Sequence, residues 1–416
     1  MAIANAQQVR GVVDRAMARA KITDIHTHLY APAFGDMLAW GVDELLTYHY
    51  LIAEFFRNTD LPYEAFWKMT KKEQADAIWK ALFVDASPLS EATRGVVTVL
   101  NALGLDVGKR NLSEYRKFCA SLSRDKYIDL VFGKAGIQDC VMTNDPFDDV
   151  ERPFWQKGIP PDPRFRAALR IDPVLLGWTK SWRRVHDWGY KTEHRLTVRT
   201  LREIQRFFRD WAKKTSALYV GVSLPPTFAM PEKDQTAQIL ERALLPVCEE
   251  LNLPLALMIG VKRQVNPLLK MAGDGMGRGS VEAVEYLCAQ FPKNKFMVTM
   301  LSRENQHQLC VAARKFRNLL PFGCWWFVNN PSIIDEMTRE RLELLGTSMI
   351  PQHSDARVID QVIYKWSHSK KIIGDVLVEK YEDLVSSGWS LSDEEVQRDV
   401  DRLLGGNFWS FLEKKL

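Results

Sequence analysis

Residues 22–29, Ile-Thr-Asp-Ile-His-Thr-His-Leu, form a short apolar run broken by one aspartate and two histidines. Side chains alternate across a strand, so His26 and His28 project to the same face one pleat apart. Two neutral imidazoles at that separation chelate one divalent metal, although His-x-His also occurs in strands that hold none. Seven further bounded apolar runs follow, at 138–143, 165–171, 217–224, 254–261, 295–301, 319–327 and 348–354. Most are apolar on both faces, as parallel strands covered on each side require. Stretches of helical period alternate with the later runs, at 200–214, 235–251, 280–291, 303–317 and 331–345; in one of them Leu309, Ala312, Ala313 and Phe316 share a face. The pattern predicts an α/β fold, a (β/α)8 barrel of the TIM type, with a three-layer open sheet as the competing arrangement. In the barrel, His26 and His28 face the interior.

About 100 residues separate the first two runs, far more than a crossover helix needs. Their periodicity predicts helices at 41–57, 62–83, 90–103 and 112–122, so residues 30–135 are expected to be a helical insertion over one end of the barrel. Residues 1–29 then hold an N-terminal helix (3–20) and strand 1, and 136–416 the rest of the barrel, with a closing helical region at 393–415.

The second chemical signal is Gln352-His353-Ser354-Asp355-Ala356-Arg357, at the end of the eighth run. In a closed barrel the eighth strand lies beside the first, so Asp355 can approach a metal held by His26 and His28. Both motifs fall at carboxyl ends of strands, where such barrels place their catalytic groups. His353 shares a face with Asp355 and is a weaker fourth candidate ligand. Arg170, a charge inside an apolar strand, is either paired in the core or aimed at a substrate, since a lone buried charge is too costly. Trp325 and Trp326 adjoin on an expected strand, so only one of them should face inward. Lys262 and Arg263, after strand five, read equally as substrate-balancing charges or as a solvated loop.

Composition removes other classes. The 416 residues are 46% hydrophobic and 26% charged, a globular balance, and 56 basic against 52 acidic residues leave a net charge of only +4. The basic, aromatic segment 180–195 is therefore no argument for nucleic acid, and none is expected as a partner. No run reaches the roughly 18 apolar residues of a membrane span, and the charged N-terminus is unlike a secretory signal. Six scattered cysteines in apolar runs read as reduced core residues, so a cytoplasmic protein is expected, as is a homo-oligomer. His186, His194, His307 and His368 have no motif around them and read as surface or helix residues.

The Asp-x-His-x-His strand end with an aspartate after the last strand resembles the amidohydrolase superfamily. More narrowly, the chain resembles the uronate isomerases. The resemblance is carried by His49-Tyr50, Ala168-Leu169-Arg170-Ile171-Asp172, Ile259-Gly260-Val261-Lys262-Arg263, Gly323-Cys324-Trp325-Trp326-Phe327 and Asp355-Ala356-Arg357, collinear from about residue 20 to 415. It implies metal ligands at His26, His28 and Asp355, catalytic roles for Asp355, Tyr50 and Arg357, and substrate contacts from Arg170, His49, Trp325 and Trp326. His49 reads as well as a plain helix residue. Ser223 and Met258 depart from the family pattern, which often has an acid and a histidine there. Without ligands for a second ion, one divalent metal is expected, zinc first, with manganese, cobalt or iron also suited.

The implied reaction interconverts D-glucuronate and D-fructuronate, or D-galacturonate and D-tagaturonate. A proton moves from C2 to C1 through a cis-enediol. Asp355 would accept the C5 hydroxyl proton, Arg357 would hold the C2 and C3 hydroxyls, and Tyr50 would relay a proton at the C1 oxygen. The competing readings are a metal-dependent sugar-lactone hydrolase and a catalytically silent sugar-acid binder.

Overall fold

The computed structural model describes residues 2–3 and 6–416, with side chains from residue 8. Seven parallel strands form one curled sheet in chain order: β1 (Ile22–Thr27), β2 (Ile137–Asn144), β3 (Phe165–Arg170), β4 (Val220–Leu224), β5 (Leu255–Ile259), β6 (Phe296–Met300) and β7 (Leu319–Pro321). Every residue of β1, β5, β6 and β7 is buried, as two covered faces demand. The inward side of the sheet has its own apolar cluster, including Ile25, Val141, Ala168, Ala256 and Met297. The outward side packs under the helices.

Helices follow the expected periodicities. Of the helix expected over 3–20, residues 4 and 5 lie outside the described residues, and α1 spans Ala6–Arg19; Ala2–Ile3 is instead a two-residue strand against Leu391–Ser392. α2 (His49–Phe55) is one of several short helices between β1 and β2. α3 (Val198–Thr215) buries Leu201, Ile204, Phe207, Phe208 and Trp211, the stripe that its period requires. Helix 235–251 forms with a π-helical turn at Leu240–Leu244 just before Pro246, which has no N–H to give. α4 (Gln306–Ala313) and α5 (Pro331–Leu345) lie where expected. The 26-residue α6 (Gln361–Ser386) was not anticipated. It packs against α1, α5 and the helices Glu91–Ala102 and Arg124–Ala135, and it buries residues all round. Its contact with Glu91–Ala102 is close enough that a Cβ on Gly95 would lie 2.7 Å from the Tyr364 ring.

Two expected strands are corrected. The run 319–327 is a strand only to Pro321, because Gly323 turns the chain at φ +66°. The run 348–354 is not a regular strand. Ile350 bridges Phe322, but Pro351 has no N–H, and Asp355 ends the segment at φ +53°. Residues 348–356 still bond to both sheet edges: Ile350 N donates to Pro321 O (3.1 Å), Asp355 N to His26 O (3.1 Å), and His28 N to Ala356 O (2.8 Å).

The amino-terminal end of the sheet is covered by α7 (Asn407–Glu413) and the turn before it. Phe408 and Phe411 enter the inward cluster, and Trp409 Nε1 donates to Thr23 Oγ1 at 3.1 Å. All six cysteines are free and buried. No described helix is long and apolar enough to cross a membrane.

Candidate metal centre and active site

β1 delivers two of three convergent donors. Its register against β2 shifts between Asp24 and Thr27, the kind of irregularity that re-aims side chains at a strand end. His26 and His28 turn to one side, their rings edge to face at 5.4 Å. Asp355 brings Oδ1 to 3.6 Å from His26 Nε2 and 3.3 Å from His28 Nε2. Among the described residues this is the sole group of three His, Cys, Asp or Glu donors close enough to hold a metal ion, its ligand atoms all within 4.8 Å of one another.

The surrounding bonds prepare these donors. Tyr219, just before β4, donates to Ile25 O (2.9 Å) and so accepts from His26 Nδ1 (3.1 Å). The ring proton therefore sits on Nδ1, and the Nε2 lone pair faces Asp355. Burial pushes His26 down to about 3, and burial followed by the Arg357 charge holds His28 well below the ordinary range. Both rings are neutral at physiological pH. His26 Nε2 and Asp355 Oδ1 are buried with no hydrogen-bond partner. Two acceptors facing each other in this way are costly unless a cation lies between them, so the donor set fits a divalent ion.

The segment carrying Asp355 is anchored on both sides. Asp24 Oδ1 accepts from Ser354 N (3.0 Å) and Oδ2 from Trp366 Nε1 (2.8 Å); burial raises Asp24 to about 6. Arg357 is set by its backbone N–H, which donates to Gln361 Oε1 (2.8 Å). Its guanidinium lies 3.4 Å from His28 Nε2, and its Nε has no partner.

A cavity of about 200 Å³ opens over the three donors, lined also by Arg170, Ser223, Arg263, Met271, Trp325, Trp326 and Arg357. Arg170 meets both alternatives at once: it grips Asp172 through two bonds (3.0 and 2.9 Å) and faces the cavity. Arg263 likewise lines it while pairing with Asp274 at 2.6 Å. The expectation that one tryptophan alone faces inward is corrected. Gly323 ends the strand geometry, Trp326 sits at φ +48°, and both indoles reach the cavity.

His49 and Tyr50 are outside the lining of this cavity but within electrostatic reach of it, His49 of Arg357 and His28 and Tyr50 of Asp355. The His49 ring is 5.8 Å from Trp326, and Tyr50 stacks on Phe327 at 6.3 Å. Burial raises the Tyr50 phenol. His353 is buried 5.1 Å from the His26 ring, with neither ring nitrogen partnered, and stands outside the group of three. A Cβ on Gly323 would lie 1.9 Å from its ring, so only glycine fits there. Met258 is buried in the inward cluster, and Lys262 does not line the cavity. His186, His194, His307 and His368 lie away from the site; His307 pairs with Glu340 at 2.6 Å and His368 contacts Arg94 and Thr98. The first half of the basic stretch at 180–195 belongs to the helix Trp178–Asp187, whose Arg184 pairs with Asp149 at 2.7 Å.

Sequence reasoning missed Tyr219 and Met271. The hydroxyl of Tyr219 inside the apolar run 217–224 was a readable signal; Met271, in an irregular loop, offered none.

A parallel sheet with His-x-His at the end of its first strand, a remote aspartate completing three donors, and arginines around the cavity defines a class of α/β proteins with a metal-ready centre. No protein-family model matches the chain, and no curated protein does. Among solved structures, a uronate isomerase from Bacillus halodurans C-125 is 52% identical, with TM-score 0.98, over 99% of this chain and 98% of that one. A uronate isomerase from Thermotoga maritima (16%, TM-score 0.75, 97% of each chain) and a glucuronate isomerase from Caulobacter crescentus (13%, TM-score 0.76, 97% and 94%) share the fold. The chain belongs to the uronate isomerase family.

Proposed function

We propose that the protein isomerises hexuronates, interconverting D-glucuronate and D-fructuronate and also D-galacturonate and D-tagaturonate. The observation that carries this reading is the convergence of His26, His28 and Asp355 on one point beneath a cavity walled by Arg170 and Arg357. The fold is read as a full (β/α)8 barrel, with residues 348–356 as its eighth stave and 30–135 as an insertion over the carboxyl end. His26, His28 and Asp355 would hold one divalent ion, zinc first. When bound, such an ion supplies a Lewis acid that lowers the pKa of a hydroxyl.

The chain's own groups do the rest. The guanidinium groups of Arg170 and Arg357 offset the charge of the sugar acid, and Arg357 holds the C2 and C3 hydroxyls. Asp355 accepts the C5 hydroxyl proton, and the C5 alkoxide so left takes the proton from C2 and returns it to C1 of the enediol. Tyr50 serves the C1 oxygen. His49 supports Tyr50, and the two indoles exclude water. The six free, buried thiols support a reducing compartment, the cytoplasm.

The test is to incubate the protein with D-glucuronate in deuterated water and to follow the proton spectrum. Appearance of the keto sugar is expected. A silent spectrum with both glucuronate and galacturonate, alongside hydrolysis of a sugar lactone, would replace the isomerase reading with a hydrolase.

A further inference from the structure

At the opposite end of β7 from the tryptophan pair lies a second hollow, about 410 Å³, between the turn after α4 and the C-terminal tail. Four cations on two separate segments line it: Arg314, Lys315 and Arg317 from the turn, and Lys414 from the tail. No carboxylate pairs with any of them among the described residues. Other exposed cations among the described residues also lack an ion pair, but these four share one hollow. Elsewhere Arg209 grips Glu250 at 2.7 Å, Arg303 grips Glu336 at 2.9 Å, and Arg339 holds Asp335 at 2.8 Å.

The cluster is also held together against its own repulsion. Lys414 donates to the Arg317 carbonyl, which keeps the tail over the turn. Beneath it the buried Lys295 donates to Leu412 O at 2.6 Å. Burial and then the neighbouring Lys414 bring Lys295 down to about 8, and burial and then Arg317 lower Lys414. Phe316, Leu345 and Phe411 supply an apolar floor.

Like charges gathered around a concave surface without a counter-charge favour an anion, and guanidinium pairs match phosphate oxygens in particular. The volume lies within the ordinary range for small-ligand pockets. We propose that this hollow binds a phosphate monoester, the phosphate held by Arg314, Arg317 and Lys414 and the organic part resting on the apolar floor.

The experiment is calorimetric titration of the metal-loaded protein at constant ionic strength with inorganic phosphate, glucose 6-phosphate and adenosine 5′-monophosphate. One saturable site is expected, with an ester bound at least about fivefold tighter than inorganic phosphate. The ester that binds tighter distinguishes a sugar phosphate from a nucleotide as its source. The R314Q/R317Q double variant should weaken binding at least about tenfold and leave isomerase turnover unchanged, since neither residue touches the metal centre. In the unaltered protein, the bound ester should protect Lys315 and Lys414 from acetylation, read by mass spectrometry. No saturable binding, equal affinity for ester and inorganic phosphate, an unchanged double variant, or unprotected lysines would each overturn the proposal.

Discussion

The two ends of the central sheet are built on opposite terms. At the amino end, α7 and the turn before it close the interior with apolar rings, and the polar groups there mostly find partners: Trp409 on Thr23, Asn407 on Thr347 O and Met349 O, Lys295 on Leu412 O. Asp139 is an exception: its Oδ1 has no partner, while its Oδ2 lies 3.7 Å from Arg166 Nε. At the carboxyl end, His26 Nε2, Asp355 Oδ1, Arg357 Nε and both nitrogens of His353 are buried and unanswered. Buried polar groups are normally satisfied, so the asymmetry marks the carboxyl end as the one whose buried groups await a ligand, while Arg314, Lys315 and Arg317 at the amino-end hollow are exposed.

The sharpest way to break that contrast is Asp355→Asn. It removes a proposed ligand and the proposed base together, so kcat should fall by about 10³-fold or more, and metal content, measured by elemental analysis, should fall with it. Near-normal turnover with full metal would void the assignment. At the other end, Phe408→Ala empties a fully buried site in the inward cluster. It should cost about 3–5 kcal/mol in urea unfolding while turnover per folded molecule stays unchanged. A kcat defect there would erase the division of labour between the ends.

Tyr219→Phe tests the link between them, since its ring touches Phe408 and its hydroxyl orients His26. Metal affinity, measured by chelator competition, should weaken about 10–100-fold with little change in circular dichroism. The smallest effect is a pH slope in the metal-free protein. His26 and His353 are held near 3 when folded, against 6.5 when exposed. The unfolded chain therefore takes up their protons first, and stability present above pH 6.5 is lost as pH falls toward 3. The loss should approach about 1.4 kcal/mol per pH unit for each imidazole. His353→Asn should remove one imidazole's share of the slope in urea titrations at pH 6 and pH 5.

What could be read from the chain in advance follows the range of the forces involved. Six of the seven strands and helices such as α3 and α5 carry their own periodicity, so local pattern found them. The convergence of His26, His28 and Asp355 was legible too, because the two histidines sit on one strand and an aspartate in a last segment expected beside the first strand falls near them. α6 escaped because burial on several sides leaves no clean amphipathic stripe. The stretch 348–356 is shaped by bonds to both sheet edges and by Pro351, not by its own alternation, so a strand was the wrong expectation. The inward turn of both indoles hung on the backbone at Gly323, which apolar patterning does not register.

The backbone bonds between Asp355 and His26 and between His28 and Ala356 have a consequence during synthesis. Ser354 and its anchor Asp24 are 330 residues apart. A growing chain on the ribosome carries both imidazoles long before it gains their carboxylate partner. Ion capture with the full donor set thus becomes a late event, and any product truncated before that point is a chain that can hold histidines toward a metal but cannot finish the centre.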